Sequence, residues 1–137
     1  MSPLKVNRSI PASVIIPELA YPDVSEAAAW LCRAFGFFER LRIADHRVQL
    51  TFDGGAIVVT RGGDARPAGH RIMVRVADAD AHHERAKRAG ARILAPPADH
   101  PYGERQYNAE DPGGHQWTFT QTIADSDPAS WGGELIE

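Results

Sequence analysis

The chain lacks most of the features that mark specialised classes of protein. Cys32 is the only cysteine among 137 residues, so an intrachain disulfide is impossible and a reducing compartment suits the sequence. No apolar run approaches the length of a membrane span, and residues 1–10 lack the apolar core of a secretory signal. With a formal net charge of -3, neither nucleic acid nor an anionic membrane is an expected partner. We therefore expect a cytoplasmic globular protein.

Motifs of nucleophilic catalysis and of phosphate binding are also missing. The sequence contains neither a Gly-x-Ser-x-Gly turn nor a glycine-rich phosphate loop. Cys32 lies within a predicted helix among alanine, tryptophan and leucine, which favours a small buried hydrophobe over a nucleophile. Asp99 and His100 could form an acid/base pair, but their position in a Pro-rich loop favours a capped turn. We expect no catalytic residue of these kinds.

The pattern in the first half predicts one strand, one helix and three further strands. The strand at 13–20 is β-branched, and Pro17 inside it predicts an edge position or a bulge because proline cannot donate to a ladder. Asp23 and Ser25 are the N-cap candidates of the helix, and Gly36 ends it. The three strands are predicted at 38–43, 48–52 and 56–60.

The same order of elements returns in the second half. A strand at 71–76 precedes a helix at 78–89 that ends at Gly90. The elements that follow are a strand at 92–95, a Pro-rich loop at 96–101, and two strands that flank a turn at 111–114.

Residues 102–121 hold the strongest local pattern. In the turn Asp111-Pro112-Gly113-Gly114, proline fixes φ at the first corner and glycine tolerates a positive φ at the next. After the turn, Trp117 and Phe119 alternate with polar residues. This period of two predicts a strand with one apolar and one polar face, and we expect the function on the polar face. The polar residues of this strand are Gln116, Thr118 and Thr120.

The two halves match each other along the chain. Asp23 corresponds to Asp78 at a shift of 55, since 78 − 23 = 55, and the same shift takes Arg33-Ala34 to Arg88-Ala89. Chance similarity of two alanine-rich helices is the alternative, but the order of elements agrees as well as the residues. A single β-α-β-β-β unit cannot bury its small sheet and helix alone, which favours two joined copies. The predicted parts are an N-terminal arm (1–12), a first module (13–60), a linker (61–69), a second module (70–121) and a C-terminal tail (122–137).

This doubled pattern resembles the vicinal oxygen chelate superfamily, which holds glyoxalases, extradiol dioxygenases and bleomycin-resistance proteins. The resemblance covers roughly residues 13–121. It implies an α+β fold of two tandem βαβββ modules that form a curved mixed sheet with a concave ligand cleft, and often a homodimer. The matching motifs are Tyr21-Pro22-Asp23-Val24, Phe35-Gly36-Phe37, Val76-Ala77-Asp78-Ala79-Asp80, Arg88-Ala89-Gly90-Ala91 and Asp111-Pro112-Gly113-Gly114-His115.

Metal-dependent members of that superfamily place a ligand on the first and the last strand of each module. Carried over to this chain, the first-strand positions are Ile16 and Arg71, because each lies seven residues before the aspartate that opens the helix. The last-strand position is Thr118 in the second module and Val58 or Val59 in the first. None of these side chains is a usual ligand of a divalent metal, so we expect no metal and no cofactor.

The histidines do not restore such a site. Period 2 places His70 on the face of Ile72 and Val74, away from the cleft, although a register slip of one residue would reverse this. His82 and His83 point about 100° apart on a helix, so we expect a solvated helix face there.

The expected cleft is rich in aromatic, cationic and amide groups. Rings and guanidinium planes stack on planar ligands, methionine adapts to irregular apolar shapes, and glutamine and threonine can bond amides. The alternative is that the arginines form salt bridges with nearby glutamates and merely line a groove. Trp131 in the tail is predicted to dock the tail or a second subunit. The ligand-binding candidates are Glu18, Arg71, Met73, Tyr102, Arg105, Tyr107, Gln116 and Thr118.

The sequence therefore favours a metal-free protein similar to the bleomycin-resistance branch. It would sequester an aromatic or peptide-like compound, such as an antibiotic, as a homodimer and without a catalysed reaction. Two alternatives stay open: a metal-dependent lyase, isomerase or dioxygenase of the same superfamily, and a pure interaction module whose cleft is filled by its own side chains.

Overall fold

The computed structural model describes residues 5–62 and 71–135. The chain divides into two compact units, Met1–Arg66 and Pro67–Glu137, and the boundary between them falls within the predicted linker. His70 and most of that linker lie outside the described residues. Among the helices of the described residues, none has the length and apolar character needed to cross a bilayer.

The first unit is a four-stranded mixed sheet with one helix against it. The strand order is β1-β4-β3-β2, with β1 parallel to β4 and the remaining neighbours antiparallel. β1 is therefore an edge strand, as the proline before it predicts. The elements are β1 (Glu18–Tyr21), α1 (Val24–Phe35), β2 (Phe38–Ile43), β3 (Arg47–Phe52) and β4 (Gly55–Arg61).

The second unit repeats this topology. Its strand order is β5-β8-β7-β6, again with the first strand parallel to the last and the other pairs antiparallel. Two βαβββ modules of an α+β fold are therefore confirmed. The elements are β5 (Ile72–Arg75), α2 (Ala79–Arg88), β6 (Arg92–His100), β7 (Glu104–Glu110), β8 (Gln116–Thr122) and a 3₁₀ turn at Pro128–Trp131.

The two helices begin in the same way, which supports the internal repeat. Asp23 accepts a hydrogen bond from the Glu26 amide at 3.0 Å, and Asp78 accepts one from the Ala81 amide at 3.0 Å. Each aspartate satisfies one of the free N–H groups of a first helical turn. The shift of 55 residues read from the sequence thus joins two equivalent N-caps.

In each unit the core lies between the helix and one side of the sheet. In the first unit Arg42 donates to Ser25 of α1, and the partners of Arg42 across the sheet, Val48 and Val59, are fully buried. In the second unit the ring of His82 on α2 lies 4.2 Å from that of Phe119. The other sides of the two sheets are then available for polar residues.

The second core is mainly aromatic. Phe119 stacks on Tyr107 and on Trp117, with ring centroids 5.2 and 6.0 Å apart, and all three side chains are fully buried. The predicted apolar side of the last strand is confirmed, because its two aromatic residues face α2.

Asp111 organises the turn between β7 and β8. Its carboxylate accepts from the amides of Gly113 and His115 at 3.0 Å and from the Trp117 indole at 3.1 Å, while only 3% of its surface is exposed. The positive φ, 85°, falls on Gly114 and not at the preceding corner, where the sequence places it. The reason is that the Gly114 amide closes the turn on the Asp111 carbonyl at 2.9 Å, so the left-handed residue comes after the two turn corners.

Two strand boundaries differ from the sequence prediction. β1 begins at Glu18, so the predicted residues 13–17 are not part of the strand. β6 continues to His100 through Pro96 and Pro97, where a loop is predicted. Both prolines fall where the pairing with β7 shifts register, and β6 is an edge strand, so their missing N–H groups disrupt no central ladder.

The N-terminal arm is not loose over its described part. The side chain of Gln49, on the side of β3 away from α1, donates to the Ser9 carbonyl at 2.8 Å. Arg40 donates to the Arg8 carbonyl at 2.9 Å and to Gln49 at 2.6 Å, and Pro11 is buried. The arm therefore covers the side of the first sheet that the helix leaves open.

We expect Asp111→Ala to lower the free energy of unfolding by about 3 kcal/mol, because the substitution leaves buried donors without an acceptor. Urea unfolding at pH 7 measures this. Asp125→Ala, an exposed acidic residue of the tail, should change stability by less than about 0.5 kcal/mol. Equal stability of the two variants would show that the turn does not depend on the carboxylate.

We also expect Arg40→Gln to loosen the arm. The carbonyl that Arg40 binds belongs to the bond that trypsin cleaves after Arg8. Loss of a hydrogen bond worth about 1–1.5 kcal/mol should accelerate cleavage after Arg8 by roughly five- to tenfold. Cleavage after the exposed Lys5 is the internal control and should not change. Equal acceleration at both sites would indicate general unfolding instead.

Candidate functional site

On the side of the second sheet that faces away from α2, polar residues line β7 and β8, and we call this side the polar face. Cross-strand pairing fixes its members: Met73 pairs with Thr118 and Thr118 with Asn108, while Tyr107 pairs with Phe119 on the other side. The same register puts β5, β8 and β7 into three rows. The rows are Gln116–Glu110, which Arg71 joins through its side-chain bond to Gln116, Met73–Thr118–Asn108 and Arg75–Thr120–Gln106.

A chain of hydrogen bonds runs along one end of the polar face. The Tyr102 hydroxyl donates to Gln106 at 3.1 Å, and the Gln106 amide donates to Thr120 at 3.0 Å. The Thr120 hydroxyl then donates to the Glu104 carboxylate at 2.6 Å. Every donor in this chain has one acceptor, so the side chains are held in a single arrangement before any ligand arrives.

The charge of Glu104 is favoured by this arrangement. Partial burial opposes ionisation, but hydrogen bonds from Thr120 and Thr122 and the charge of Arg75 outweigh it and lower the pKa of Glu104. Glu104 is therefore a fixed carboxylate near neutral pH and a poor proton acceptor.

The centre of the polar face combines a bonded hydroxyl with an exposed apolar side chain. Thr118 donates to Asn108 at 2.8 Å, and Arg71 donates to Gln116 at 3.2 Å. Met73 on β5 lies between Arg71 and Arg75 in the sequence and is 63% exposed. An exposed methionine between fixed polar groups can contact an irregular apolar surface.

Two of the eight candidates lie on the opposite side of the sheet. Tyr107 is fully buried against α2, with its hydroxyl 2.6 Å from Nδ1 of His82, and burial raises its pKa. Arg105 bridges Asp99 and Asp80 at 2.9 and 3.0 Å, and these bonds raise its pKa. Both have odd numbers on β7, so they alternate with Gln106 and cannot share its face. We leave both out of the site proposed below.

Glu18 belongs to the first unit, where it forms an ion pair with Arg47. It lies on the side of the first sheet that the N-terminal arm approaches, since its partner across the sheet, Val58, pairs in turn with Gln49. The other five candidates lie on the second unit: Arg71, Met73, Gln116 and Thr118 on the polar face, and Tyr102 at its end.

The residues at the positions of the superfamily's metal ligands do not suit a metal ion in this chain. Glu18 pairs with Val58 as Met73 pairs with Thr118, so Val58, and not Val59, is the counterpart of Thr118. Val58 has no donor atom, while Thr118 is bonded to Asn108 and Arg71 carries a positive charge. Over residues 5–62 and 71–135, no group of three His, Cys, Asp or Glu side chains could hold a metal ion.

The prediction of a solvated helix face at His82 is wrong, while Asp99, His100 and Cys32 have surroundings that do not favour reactivity. His82 is buried and not solvated, because Ala79, His82 and Ala86 form the inner face of α2. Asp99 binds Arg105 and His100 stacks on Tyr102, so they form no acid/base pair. Cys32 is half-buried, and burial followed by the charge of Glu39 raises its pKa, which makes it a weak nucleophile.

Gln106, Asn108, Glu104 and Arg75 complete the polar face but are absent from the eight candidates. Alternation along β7 would have found Glu104, Gln106 and Asn108, since Tyr107 belongs to the aromatic core and its neighbours must point the other way. Alternation along β5 would have found Arg75, which shares the side of Met73. A strand cannot contribute adjacent residues to one face.

Comparisons with known proteins agree with this fold. A family model described as the glyoxalase/bleomycin resistance protein/dioxygenase superfamily matches residues 14–119. The crystal structure of TioX from Micromonospora sp. ML1 is 38% identical, and the match covers 82% of this chain and 100% of that one with a TM-score of 0.70. A comparison with curated proteins gave no match.

More distant structures show the fold alone. A glyoxalase-related enzyme from Fulvimarina pelagi is 20% identical over 80% of this chain and 88% of that one, with a TM-score of 0.67. UcmS2 is 15% identical over 81% of this chain and 98% of that one, with a TM-score of 0.63.

We expect the contribution of Glu104 to stability to depend on pH. A carboxyl whose pKa is lowered on folding stabilises the protein above its unfolded pKa, about 4.3, and this contribution is lost as pH falls through the lower folded value. Wild type should therefore be more stable than Glu104→Gln at pH 7, and the difference should shrink below about pH 4.3. Urea unfolding from pH 3 to 7 tests this, with the exposed Glu134→Gln as control. A difference that grows on acidification would contradict it.

Proposed function

Because the chain belongs to the glyoxalase/bleomycin resistance protein/dioxygenase superfamily, we propose that it binds a small molecule on the polar face of its second module without a catalytic metal. The ligand is an aromatic or peptide-like compound, for example an antibiotic, which the protein sequesters. The proposal includes a cytoplasmic location and a homodimeric state. It excludes Tyr107 and Arg105 from the contacts with the ligand.

The main support for this proposal is the identity of the residues at the positions where other members of the superfamily have metal ligands. Catalytic zinc and iron sites are built from carboxylate, imidazole or thiolate donors, and a guanidinium repels a divalent ion. Arg71 and Thr118 instead hold amide side chains, Gln116 and Asn108. These groups can offer or accept hydrogen bonds, but they cannot polarise a carbonyl as a metal does.

The difference between the two modules also supports the choice of face. In the first unit the N-terminal arm occupies the open side of the sheet, through Arg40 and Gln49. In the second unit Met73 is largely exposed on the corresponding side. Because the chain's own arm covers this side of the first module and Met73 is exposed on the same side of the second, the second module is favoured as the ligand site.

Sequestration needs affinity but no reaction. A compound held at micromolar affinity, about −8 kcal/mol, is withdrawn from solution by mass action when the protein is in excess. Apolar contact with Met73 and stacking would supply most of this energy, and the fixed amides and hydroxyls would set orientation.

The test is isothermal calorimetry with a panel of planar aromatic and peptide-like antibiotics. Met73→Glu should weaken the binding of any positive compound by about tenfold or more, because it places a charge against the apolar part of the ligand. Ala81→Glu is the matched control. It adds the same charge on α2, at the third helical position after the N-cap Asp78, where glutamate is favourable.

The competing function is a metal-dependent lyase, isomerase or dioxygenase. Elemental analysis of protein purified without a chelator separates the two. A stoichiometric divalent ion that resists dialysis and is required for turnover would overturn the proposal. Binding of a panel compound to metal-free protein, weakened by Met73→Glu and not by Ala81→Glu, would support it.

A further inference from the structure

Three aromatic rings form a continuous cluster beside the polar face. His100 at the end of β6 lies parallel to Tyr102, with ring centroids 5.2 Å apart and planes 7° apart. Trp131 from the tail packs against Tyr102 edge to face, at 5.6 Å and 66°. The core does not use this cluster, and only Tyr102 belongs to the site described above. We call the three rings the aromatic wall: His100, Tyr102 and Trp131.

The tail is held in this position by close backbone contacts. Ile123 and Ala124 donate to the Gly103 carbonyl at 2.8 and 3.3 Å, and a Cβ on Gly103 would lie 2.4 Å from the Ala124 carbonyl oxygen. A Cβ on Gly133 would lie 3.0 Å from the Trp131 ring. Glycine at both points therefore lets the tail turn back and seat the indole on Tyr102.

The wall is joined to the polar face by a direct bond. The Tyr102 hydroxyl donates to Gln106 at 3.1 Å, and Gln106 shares its row with Arg75 and Thr120. The aromatic wall thus adjoins one end of the polar face. The hydrogen-bond chain to Glu104 holds the hydroxyl group of Tyr102 in place there.

Trp131 is the tryptophan that a ligand can reach. It is 44% exposed, whereas Trp30 is 8% exposed and Trp117 is fully buried with its indole bonded to Asp111. Part of its indole packs on Tyr102 and the rest is open, and tryptophan suits a binding surface because it combines a large apolar ring with a polar N–H.

We infer that the aromatic wall is a stacking subsite for a planar ring system of the ligand, and that Trp131 of the C-terminal tail is a binding residue. The inference rests on the proposed function and adds the ligand's chemical class: a fused or extended planar ring that lies against Trp131 and Tyr102 while the rest of the molecule extends over the polar face towards Met73.

Two NMR signals test the inference in the full-length protein. The chain has three tryptophans and two methionines, so the indole N–H of Trp131 and the methyl group of Met73 are assigned with Trp131→Phe and Met73→Leu. The probes are 2-naphthoate, which is planar, and decahydro-2-naphthoate, its saturated and non-planar counterpart. Each is titrated to millimolar concentration.

We expect 2-naphthoate to shift the Trp131 indole signal while the Trp30 and Trp117 signals stay in place. The saturated probe should bind about five- to tenfold more weakly, which is the scale of an aromatic pair. Trp131→Ala should weaken binding of 2-naphthoate by a similar factor, and Trp131→Phe should retain most of it. Tyr102→Phe keeps the ring and removes only the bond to Gln106, so it should retain stacking.

The outcomes separate this inference from the proposed function. If the probe shifts the Met73 methyl signal but leaves Trp131 unmoved, or binds Trp131→Ala as tightly as wild type, the inference is wrong and the proposed face stands. If the Trp131 indole signal shifts and Met73→Glu has no effect on binding of the panel compounds, the stacking subsite is supported and the proposed binding face is wrong. A probe that moves neither signal overturns the inference, while calorimetry still decides the function.

Discussion

The two-residue period of the strands, combined with a helix on one side of each sheet, is the constraint on which the rest of the structure depends. Once α2 covers Tyr107 and Phe119, their neighbours on the same strands must point away from the helix. Gln106, Thr118 and Thr120 then form a layer that is not needed for the core, and residue choice there is free to serve a ligand. On each strand, the residues that face the helix stabilise the core and the residues between them are available for a ligand, because successive side chains point to opposite sides.

The repeat shows how one topology can carry two different surfaces. Both modules share the N-cap aspartate and the order of strands, because each helix must bury a sheet of the same size. Their open sides differ, since Arg40 and Gln49 bind the chain's own arm while the second module presents Met73. Duplication preserves what packing requires, and the sides that packing leaves open have diverged.

The fold could be predicted from the sequence because its signals are local. Asp23, Gly36 and Asp78 mark helix ends through a single residue's chemistry. The site is harder to predict than the fold, because the face on which a residue lies depends on strand register. The sequence prediction groups Tyr107 and Arg105 with Thr118, although their odd positions on β7 put them beside α2. A β-bulge such as the one at Pro96 and Pro97 changes the alternation of faces without a clear sign in the sequence. The contacts of the arm with Gln49 and of Trp131 with Tyr102 join residues far apart in the chain, so no local pattern predicts them.

The magnitudes indicate what size of ligand such a face can hold. A bicyclic ring that buries about 150–250 Å² gains roughly 4–6 kcal/mol at 25 cal/mol per Å², and each neutral hydrogen bond adds about 1 kcal/mol. Association costs at least about 4 kcal/mol, so one ring stacked on Trp131 keeps at most about 3 kcal/mol and binds no more tightly than millimolar. Micromolar affinity requires the ligand to cover Met73 as well, two residues along β5 from the Arg75–Thr120–Gln106 row. A molecule with a planar ring and an extended apolar or peptide-like part meets this requirement, whereas a small metabolite of the kind a metal would activate does not.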